Sequence, residues 1–167
     1  MSTGGEIPST IKVVIVWLFI GTAIFLGWQW YEREQLKPTV IRSSGLGADS
    51  LAIERGRDGH YHLLVKVNGI DTPFLLDTGA TQSAVSKDFA RKADITASSS
   101  AVFSTANGTV RGDIGRANIA LPNDLIRIDG LPISILENLD GASLLGMDVL
   151  GKLKLVQDGK RLMLSRR

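Results

Sequence analysis

A run of sixteen uncharged residues near the N-terminus leaves this chain few ways to fold. Residues 13–28 read VVIVWLFIGTAIFLGW and include a single hydroxyl group. Extended to residues 11–30, the run forms an α-helix of roughly 30 Å at ~1.5 Å per residue, which matches the hydrocarbon core of a bilayer. A soluble helix would show polar residues on one face, and this run shows none. The sequence therefore predicts a helix that spans a membrane.

The residues at both ends of the run favour a span that is retained rather than cleaved. Lys12 can reach the headgroups at one end, and Trp28, Trp30 and Tyr31 suit the interface at the other. A signal peptide would end in small residues, whereas this run ends in Trp-Gln-Trp-Tyr. We predict an N-terminal tail over residues 1–10, a transmembrane helix in the lipid bilayer over residues 11–31, and a linker over residues 32–58.

The remainder of the chain, residues 59–167, has the pattern of an all-β domain. Segments rich in β-forming residues flank Asn68-Gly69, Asn107-Gly108 and Asp158-Gly159. Such dipeptides favour tight hairpin turns, because their backbones adopt positive φ readily. Three hairpins within about 110 residues predict an all-β fold. We also expect a short strand over residues 50–54, a helix over residues 87–93 with Ser86 as its N-cap, and a helix over residues 147–152.

Composition excludes several classes of function. The chain has no cysteine, so disulfides, cysteine-ligated zinc and a cysteine nucleophile are absent. The formal net charge is +2 and the basic residues are scattered, apart from Arg166 and Arg167, which argues against a nucleic-acid partner. His60 and His62 would face the same side of a strand, and we interpret them as exposed residues because no third metal ligand is placed beside them. We predict no metal and no cofactor.

Residues 74–81, which read FLLDTGAT, carry the most chemical information. An apolar strand leads directly into Asp77, and a lone carboxylate beside apolar residues is costly unless other groups satisfy it. Gly79 permits a sharp turn that brings backbone N–H groups toward the carboxylate, and Thr78 adds a hydroxyl that can bond across an interface. The alternative is a purely structural role, in which Asp77 caps backbone amides in a tight turn.

Three segments, in this order, resemble the retropepsin-like aspartic proteases. Asp77-Thr78-Gly79-Ala80, after two apolar residues, resembles the active-site loop of that family. Thr105-Ala106-Asn107-Gly108 resembles the tip of its substrate-binding flap, and Leu144-Leu145-Gly146 resembles its apolar-glycine element. The resemblance spans residues 60–165 and is closest to the membrane-anchored members from bacteria. It implies an all-β, retropepsin-like acid protease barrel with short helices, preceded here by a single transmembrane helix.

The chemistry of this family requires two carboxylates, and the chain supplies one in the right context. One carboxylate takes a proton from water while the other, protonated, polarises the scissile carbonyl. No other aspartate precedes Thr-Gly or Ser-Gly, so we expect Asp77 of a second copy to complete the pair in a homodimer. Thr78 would join the two loops and Gly79 would allow their approach. Ala80 offers the carboxylate no hydroxyl, so we expect activity at mildly acidic to neutral pH.

Together these inferences predict a membrane-anchored aspartic endopeptidase that hydrolyses a protein or peptide substrate. The alternative is a non-catalytic binding or assembly module that keeps the fold on the membrane. The count of Lys and Arg, with Lys12 before the span and Arg33, Lys37 and Arg42 after it, favours a cytoplasmic domain. The resemblance to bacterial proteins implies instead an inner-membrane protein with its catalytic domain in the periplasm, and this is the location we expect.

Overall fold

A computed structural model describes residues 9–35, 40–41, 50–105, 108–137, 139 and 143–167. The chain divides into two units, Met1–Leu36 and Lys37–Arg167. The first unit contains one helix, α1 (Ser9–Gln35), whose segment Ile11–Tyr31 has a mean hydropathy of 2.1 and is exposed throughout. In length and composition this segment is compatible with a single-pass membrane anchor or with a signal sequence.

The second unit consists mainly of strands, and the predicted all-β fold with short helices is confirmed. In chain order the strands are β1 (Val40–Ile41), β2 (Ser50–Glu54), β3 (His62–Val67), β4 (Ile70–Leu76), β5 (Ala84–Ser86), β6 (Ala97–Thr105), β7 (Gly108–Ala120), β8 (Arg127–Leu136), β9 (Ser143–Leu145), β10 (Leu153–Asp158) and β11 (Arg161–Arg166). The shorter elements are α2 (Lys87–Lys92), α3 (Met147–Leu150) and a 3₁₀ turn at Pro122–Asp124.

Seven of these strands form a sheet that closes on itself. Their order is β3-β4-β9-β5-β8-β7-β6, and β3 pairs in addition with β7, where Val67 lies opposite Ile119. Six strands therefore form a ring, and β6 lies outside it as the partner of β7. The other four strands form an antiparallel sheet in the order β1-β2-β11-β10.

A single apolar core joins the two sheets. Alternate residues of β3 point into it, since Leu63, Val65 and Val67 are fully buried, and Phe74 of β4 packs there too. The four-stranded sheet adds apolar side chains from β2 and β11, namely Leu51, Ile53, Leu162 and Leu164. Each such side chain contributes about 1.5–3 kcal/mol to stability by leaving water. This burial fixes which face of each strand points inward.

The predicted hairpins are present, but two of them turn one residue away from the expected dipeptide. Asn68 and Gly69 form the β3–β4 turn with φ of 47° and 89°. In the other two hairpins, the closing pairs are Thr105 with Gly108 and Asp158 with Arg161, so Gly108 and Asp158 belong to strands. A shift of one residue would turn the inward apolar side chains outward, so the core decides the register.

The expectation that His62 is exposed was wrong. Its side chain is 7% exposed, and its Nε2 lies 2.6 Å from Oδ2 of Asp58. Asp58 reaches it because the chain folds back before β3, where the N–H of Gly56 donates to the carbonyl of His60 over 2.7 Å. His60 itself is exposed, as expected. Among the described residues, no group of three or more His, Asp or Glu side chains is arranged to hold a metal ion.

Candidate active site

Asp77 follows β4 directly, and its backbone is fixed on two sides. The N–H of Leu76 donates to the carbonyl of Tyr61 over 2.9 Å, and the N–H of Asp77 donates to the carbonyl of Leu145 over 3.0 Å. The second bond extends the parallel pairing of β4 with β9, in which Leu76 lies opposite Leu145. The backbone of Asp77 is therefore held in place by hydrogen bonds to Leu145 and, through Leu76, to Tyr61. Its side chain is only partly buried.

The turn after Asp77 folds around the carboxylate. The N–H of Gly79 donates to Asp77 Oδ1 over 2.8 Å, and the N–H of Ala80 donates to the Asp77 carbonyl over 3.3 Å. A Cβ at position 79 would lie 3.1 Å from Asp77 Oδ1, so a side chain there would crowd the carboxylate. Thr78 and Gly79 are exposed and Ala80 is partly buried. The turn thus presents an oriented carboxylate at the surface.

The Leu144-Leu145-Gly146 segment lies against this turn. Leu145 is fully buried and Leu144 partly so. A Cβ on Gly146 would come within 2.7 Å of the carbonyl carbon of Gln82 and 2.9 Å of the Ala80 oxygen. Only glycine lets these two pieces of backbone pack so closely, because neither can move aside as a flexible side chain would. The structure therefore brings the predicted loop and the predicted apolar-glycine element together.

The start of α3 adds two backbone bonds to the same turn. The N–H of Met147 donates to the carbonyl of Ala80 over 2.8 Å, and the N–H of Asp148 donates to the carbonyl of Thr81 over 3.2 Å. The first N–H groups of a helix have no partner inside it, so the turn satisfies groups that would otherwise need water. The helix is only one turn long and ends at Leu150, two residues earlier than the sequence predicts.

A buried serine and an aspartate complete the support of the site, and the sequence analysis missed both roles. Ser83 is fully buried; its hydroxyl donates to Asp148 Oδ1 over 2.7 Å and accepts from the N–H of Gly146 over 3.0 Å. The N–H of Ser83 donates to Asp148 Oδ2 over 2.9 Å, and that of Val149 to Oδ1 over 2.9 Å. Two features of the sequence could have indicated these roles. They are a polar residue shortly after the Asp77 turn and an acidic residue at the start of a short helix.

The predicted flap residues lie elsewhere in the sheet. Thr105 and Gly108 form the last pair of the β6–β7 hairpin, and Gly108 has a φ of 109°. Ala106 and Asn107, the remaining two residues of the predicted flap tip, lie outside the described residues. The hydrogen-bond partners of the Asp77 turn are Tyr61, β9 and α3 rather than this hairpin.

The structure thus places a partly exposed carboxylate on a fixed turn, beside an apolar-glycine segment in a closed β-barrel. Residues 63–152 match the family described as gag-polyprotein putative aspartyl protease. The match covers more than half of the chain, and the chain belongs to this family. Its family and its fold support a protease function.

Comparison with solved structures supports the same fold. A retropepsin-like aspartic protease from Rickettsia conorii superposes with a TM-score of 0.55 and 24% sequence identity, over 78% of this chain and 94% of that protein. The EIAV protease in complex with the inhibitor HBY-793 gives a TM-score of 0.48 and 17% identity, over 57% of this chain and 88% of that one, and adds no further argument. No curated protein matches the chain.

Proposed function

We propose that this protein is a membrane-anchored aspartic endopeptidase whose catalytic pair consists of Asp77 from each of two copies. The observation that carries the proposal is the Asp77 turn itself. It holds one partly exposed carboxylate between a backbone N–H of Gly79 and the end of a central strand. A fixed, solvent-accessible carboxylate suits a general acid or base, which must keep its geometry through the reaction.

The proposed reaction divides two roles between two identical residues. The ionised Asp77 accepts a proton from a water molecule as that water attacks the scissile carbonyl carbon, while the protonated Asp77 of the second copy donates its proton to the carbonyl oxygen. The Asp77 that took the proton from water then gives it to the amide nitrogen, while one hydroxyl of the tetrahedral intermediate returns its proton to the other Asp77. The C–N bond breaks, the products are a carboxyl group and an amine, and the pair again holds one proton.

The other loop residues take supporting roles in this proposal. Thr78 is exposed and is proposed to bond across the two-fold axis, where its counterpart in the second copy would meet it. Gly79 keeps the space in front of the carboxylate open, and Thr105, Ala106, Asn107 and Gly108 are proposed to contact the peptide substrate. We expect activity at mildly acidic to neutral pH, and a rate maximum in strongly acidic solution would contradict the interpretation of Ala80.

The proposed location follows from α1 and from the expected arrangement of the chain. Segment Ile11–Tyr31 would anchor the protein, with residues 1–10 as a tail, residues 32–58 as a linker and residues 59–167 as the catalytic domain. We propose a single pass through the inner membrane and a periplasmic catalytic domain. A reporter fused after Arg167 tests the side of the membrane, since alkaline phosphatase is active only in the periplasm, and an inactive fusion would contradict this location.

Replacement of Asp77 by asparagine tests the proposed mechanism. Asp77→Asn keeps the size of the side chain but removes the general acid–base group, so cleavage of a peptide library should fall by at least about 10²-fold. The matched control is Asp71→Asn, which removes an exposed carboxylate from β4, the strand that leads into Asp77. Equal cleavage by wild type and Asp77→Asn would refute the mechanism, and a folded chain that cleaves no peptide in either form would favour a non-catalytic binding or assembly module.

A further inference from the structure

Charge is distributed unevenly along the second unit. From residue 50 to residue 151 the chain has nine basic and twelve acidic residues, whereas residues 152–167 have six basic residues and one acidic residue, Asp158. This last segment is the β10–β11 hairpin and the residues beside it. Although the net charge of the whole chain is small, residues 152–167 are strongly basic. Such an asymmetry of charge attracts an anionic partner.

Four basic residues line one cavity, and we call these four residues the basic cluster. They are Arg127 in β8 and Lys152, Arg166 and Arg167 in the last segment. The cavity has a volume of about 340 Å³, and its remaining lining residues are Asp124, Leu125, Ile126 and Leu153. All four basic residues are exposed. One acidic residue, Asp124, lies among the lining residues of this cavity, so positive charge exceeds negative charge there by three.

Two of the four cations are held in place by the fold. Arg166 donates from Nε to the carbonyl of Leu125 over 3.0 Å and from Nη2 to the carbonyl of Asp124 over 2.9 Å. Arg127 donates to Asp124 Oδ1 over 2.9 Å. These hydrogen bonds connect β11 to the loop before β8 and hold the side chains of Arg127 and Arg166 in place. Lys152 and Arg167 add two exposed positive charges to the cluster.

We infer that the basic cluster docks the second unit on the anionic headgroups of the bilayer in which α1 is anchored. Four residues separate Gln35, at the end of α1, from Val40, where the four-stranded sheet that carries the hairpin begins. Lys and Arg beside an anionic bilayer strengthen its attraction by on the order of fivefold each. The inference rests on the proposed anchoring and not on the proposed catalysis.

Hydrogen exchange on the full-length chain in lipid nanodiscs tests the docking. One nanodisc preparation contains phosphatidylcholine alone and the other a mixture with phosphatidylglycerol; both leaflets are alike, so the orientation of the chain is unimportant. We expect the backbone amides of residues 121–127 and 152–158 to exchange more slowly with anionic lipid than without it. The slowing should weaken as salt is added, because mobile ions screen exposed charges.

Paired variants identify the cluster as the cause. Lys152→Gln with Arg167→Gln removes two cations without touching the contacts of Arg166. It should weaken the attraction to anionic lipid by on the order of 25-fold and so abolish most of the lipid-dependent slowing. Arg57→Gln with Lys92→Gln removes the same charge from exposed positions outside the cluster and should leave it unchanged. Cleavage of a soluble peptide by each variant is measured in parallel and is expected to match wild type, which separates docking from catalysis.

Several results would overturn the inference. Equal exchange in neutral and anionic nanodiscs, or equal losses in the two pairs of variants, would show that the cluster does not dock on lipid. Slowing by inorganic phosphate in neutral nanodiscs, to the same extent as by anionic lipid, would show a site for free anions instead. A chain that does not enter nanodiscs at all would refute the anchoring and, with it, the docking.

Discussion

At the scale of single residues, the site depends on a polar pair that lies behind the Asp77 turn. Ser83 and Asp148 are 65 positions apart in sequence, yet they share two hydrogen bonds. Asp77 and Gly79 could be found from the sequence because the turn they form is local. The pair could not be found in this way, since neither residue type is rare and its partner is set by the fold. The role of Asp77 itself stays a prediction.

Removal of the Ser83 hydroxyl should loosen the site. Ser83→Ala leaves the N–H of Gly146 without its acceptor and Asp148 Oδ1 without one donor, in a position closed to water. We expect a loss of about 1–3 kcal/mol in the free energy of unfolding, and a lower kcat, measured by urea denaturation and by peptide cleavage. Ser98→Ala, at an exposed serine, is the control and should change stability by less than about 0.5 kcal/mol. Equal losses in the two variants would contradict the role given to Ser83.

The Asp58–His62 contact predicts a pH dependence of stability. Burial raises the pKa of Asp58, but hydrogen bonds from the His62 side chain and the His60 backbone outweigh this and leave it below its usual value. A carboxyl group with a lowered pKa stabilises the fold above its unfolded pKa of about 3.9, and this contribution is lost as the pH falls through the folded pKa.

Urea midpoints of wild type and Asp58→Asn should therefore differ most near neutral pH and converge in strong acid. Asp58 is 43% exposed, so screening by solvent keeps the difference below about 1 kcal/mol. Asp71→Asn, at an exposed carboxylate, is the control and should change the free energy of unfolding by less than about 0.5 kcal/mol at neutral pH. A difference between wild type and Asp58→Asn that grows as the pH falls would contradict the assignment.

At the scale of elements, the contact between the Asp77 turn, β9 and α3 is made almost entirely by backbone. Local patterns predicted the hairpins, the Ser86 cap of α2 and the short strand β2. The Ser86 hydroxyl indeed accepts from the N–H of Phe89 over 3.2 Å. The parallel pairings of β4 with β9 and of β5 with β8 have no local signature, because they join segments separated by fifty residues or more. The resemblance to a family indicated that the Asp77 loop and the Leu144-Leu145-Gly146 element lie together, whereas the pairing of β5 with β8 was not predicted.

A methyl group at position 146 should separate the elements of the site. Gly146→Ala places a Cβ within 3 Å of backbone atoms of Ala80 and Gln82, which cannot rotate away. We expect destabilisation of about 1–3 kcal/mol and a larger relative loss of kcat than of stability, measured by thermal unfolding and peptide cleavage. Gly21→Ala, where an added Cβ meets no atom within 4 Å, is the control. Wild-type activity in Gly146→Ala would show that the close packing is unimportant.

At the scale of the whole molecule, the proposed enzyme is larger than one chain. The fold class and the barrel are confirmed, and the family is shown. The dimer and the membrane location stay predictions, because one chain cannot show an interface with its copy. Symmetry gives the dimer a quantitative signature. If each active site needs Asp77 from both copies, a chain that carries Asp77→Asn inactivates any wild-type partner that it binds.

Mixing experiments measure this signature. Wild type and Asp77→Asn, unfolded together in equal amounts and refolded, should retain about one quarter of the activity of the same total amount of wild type, since only that fraction of dimers contains Asp77 in both copies. If each chain acted alone, about one half would remain. Asp71→Asn mixed in the same way should cause no loss. An activity of one half would refute the shared site.

The bonds that shape the Asp77 turn also set an order of events during synthesis. The turn is complete only when Gly146, Met147 and Asp148 have joined it, because these residues supply its outer contacts. A nascent chain of about one hundred residues therefore contains Asp77 but lacks Gly146, Met147 and Asp148, which hold the turn in place. Under the proposed mechanism, peptide cleavage therefore requires that residues 146–148 have been synthesised and have packed against the turn.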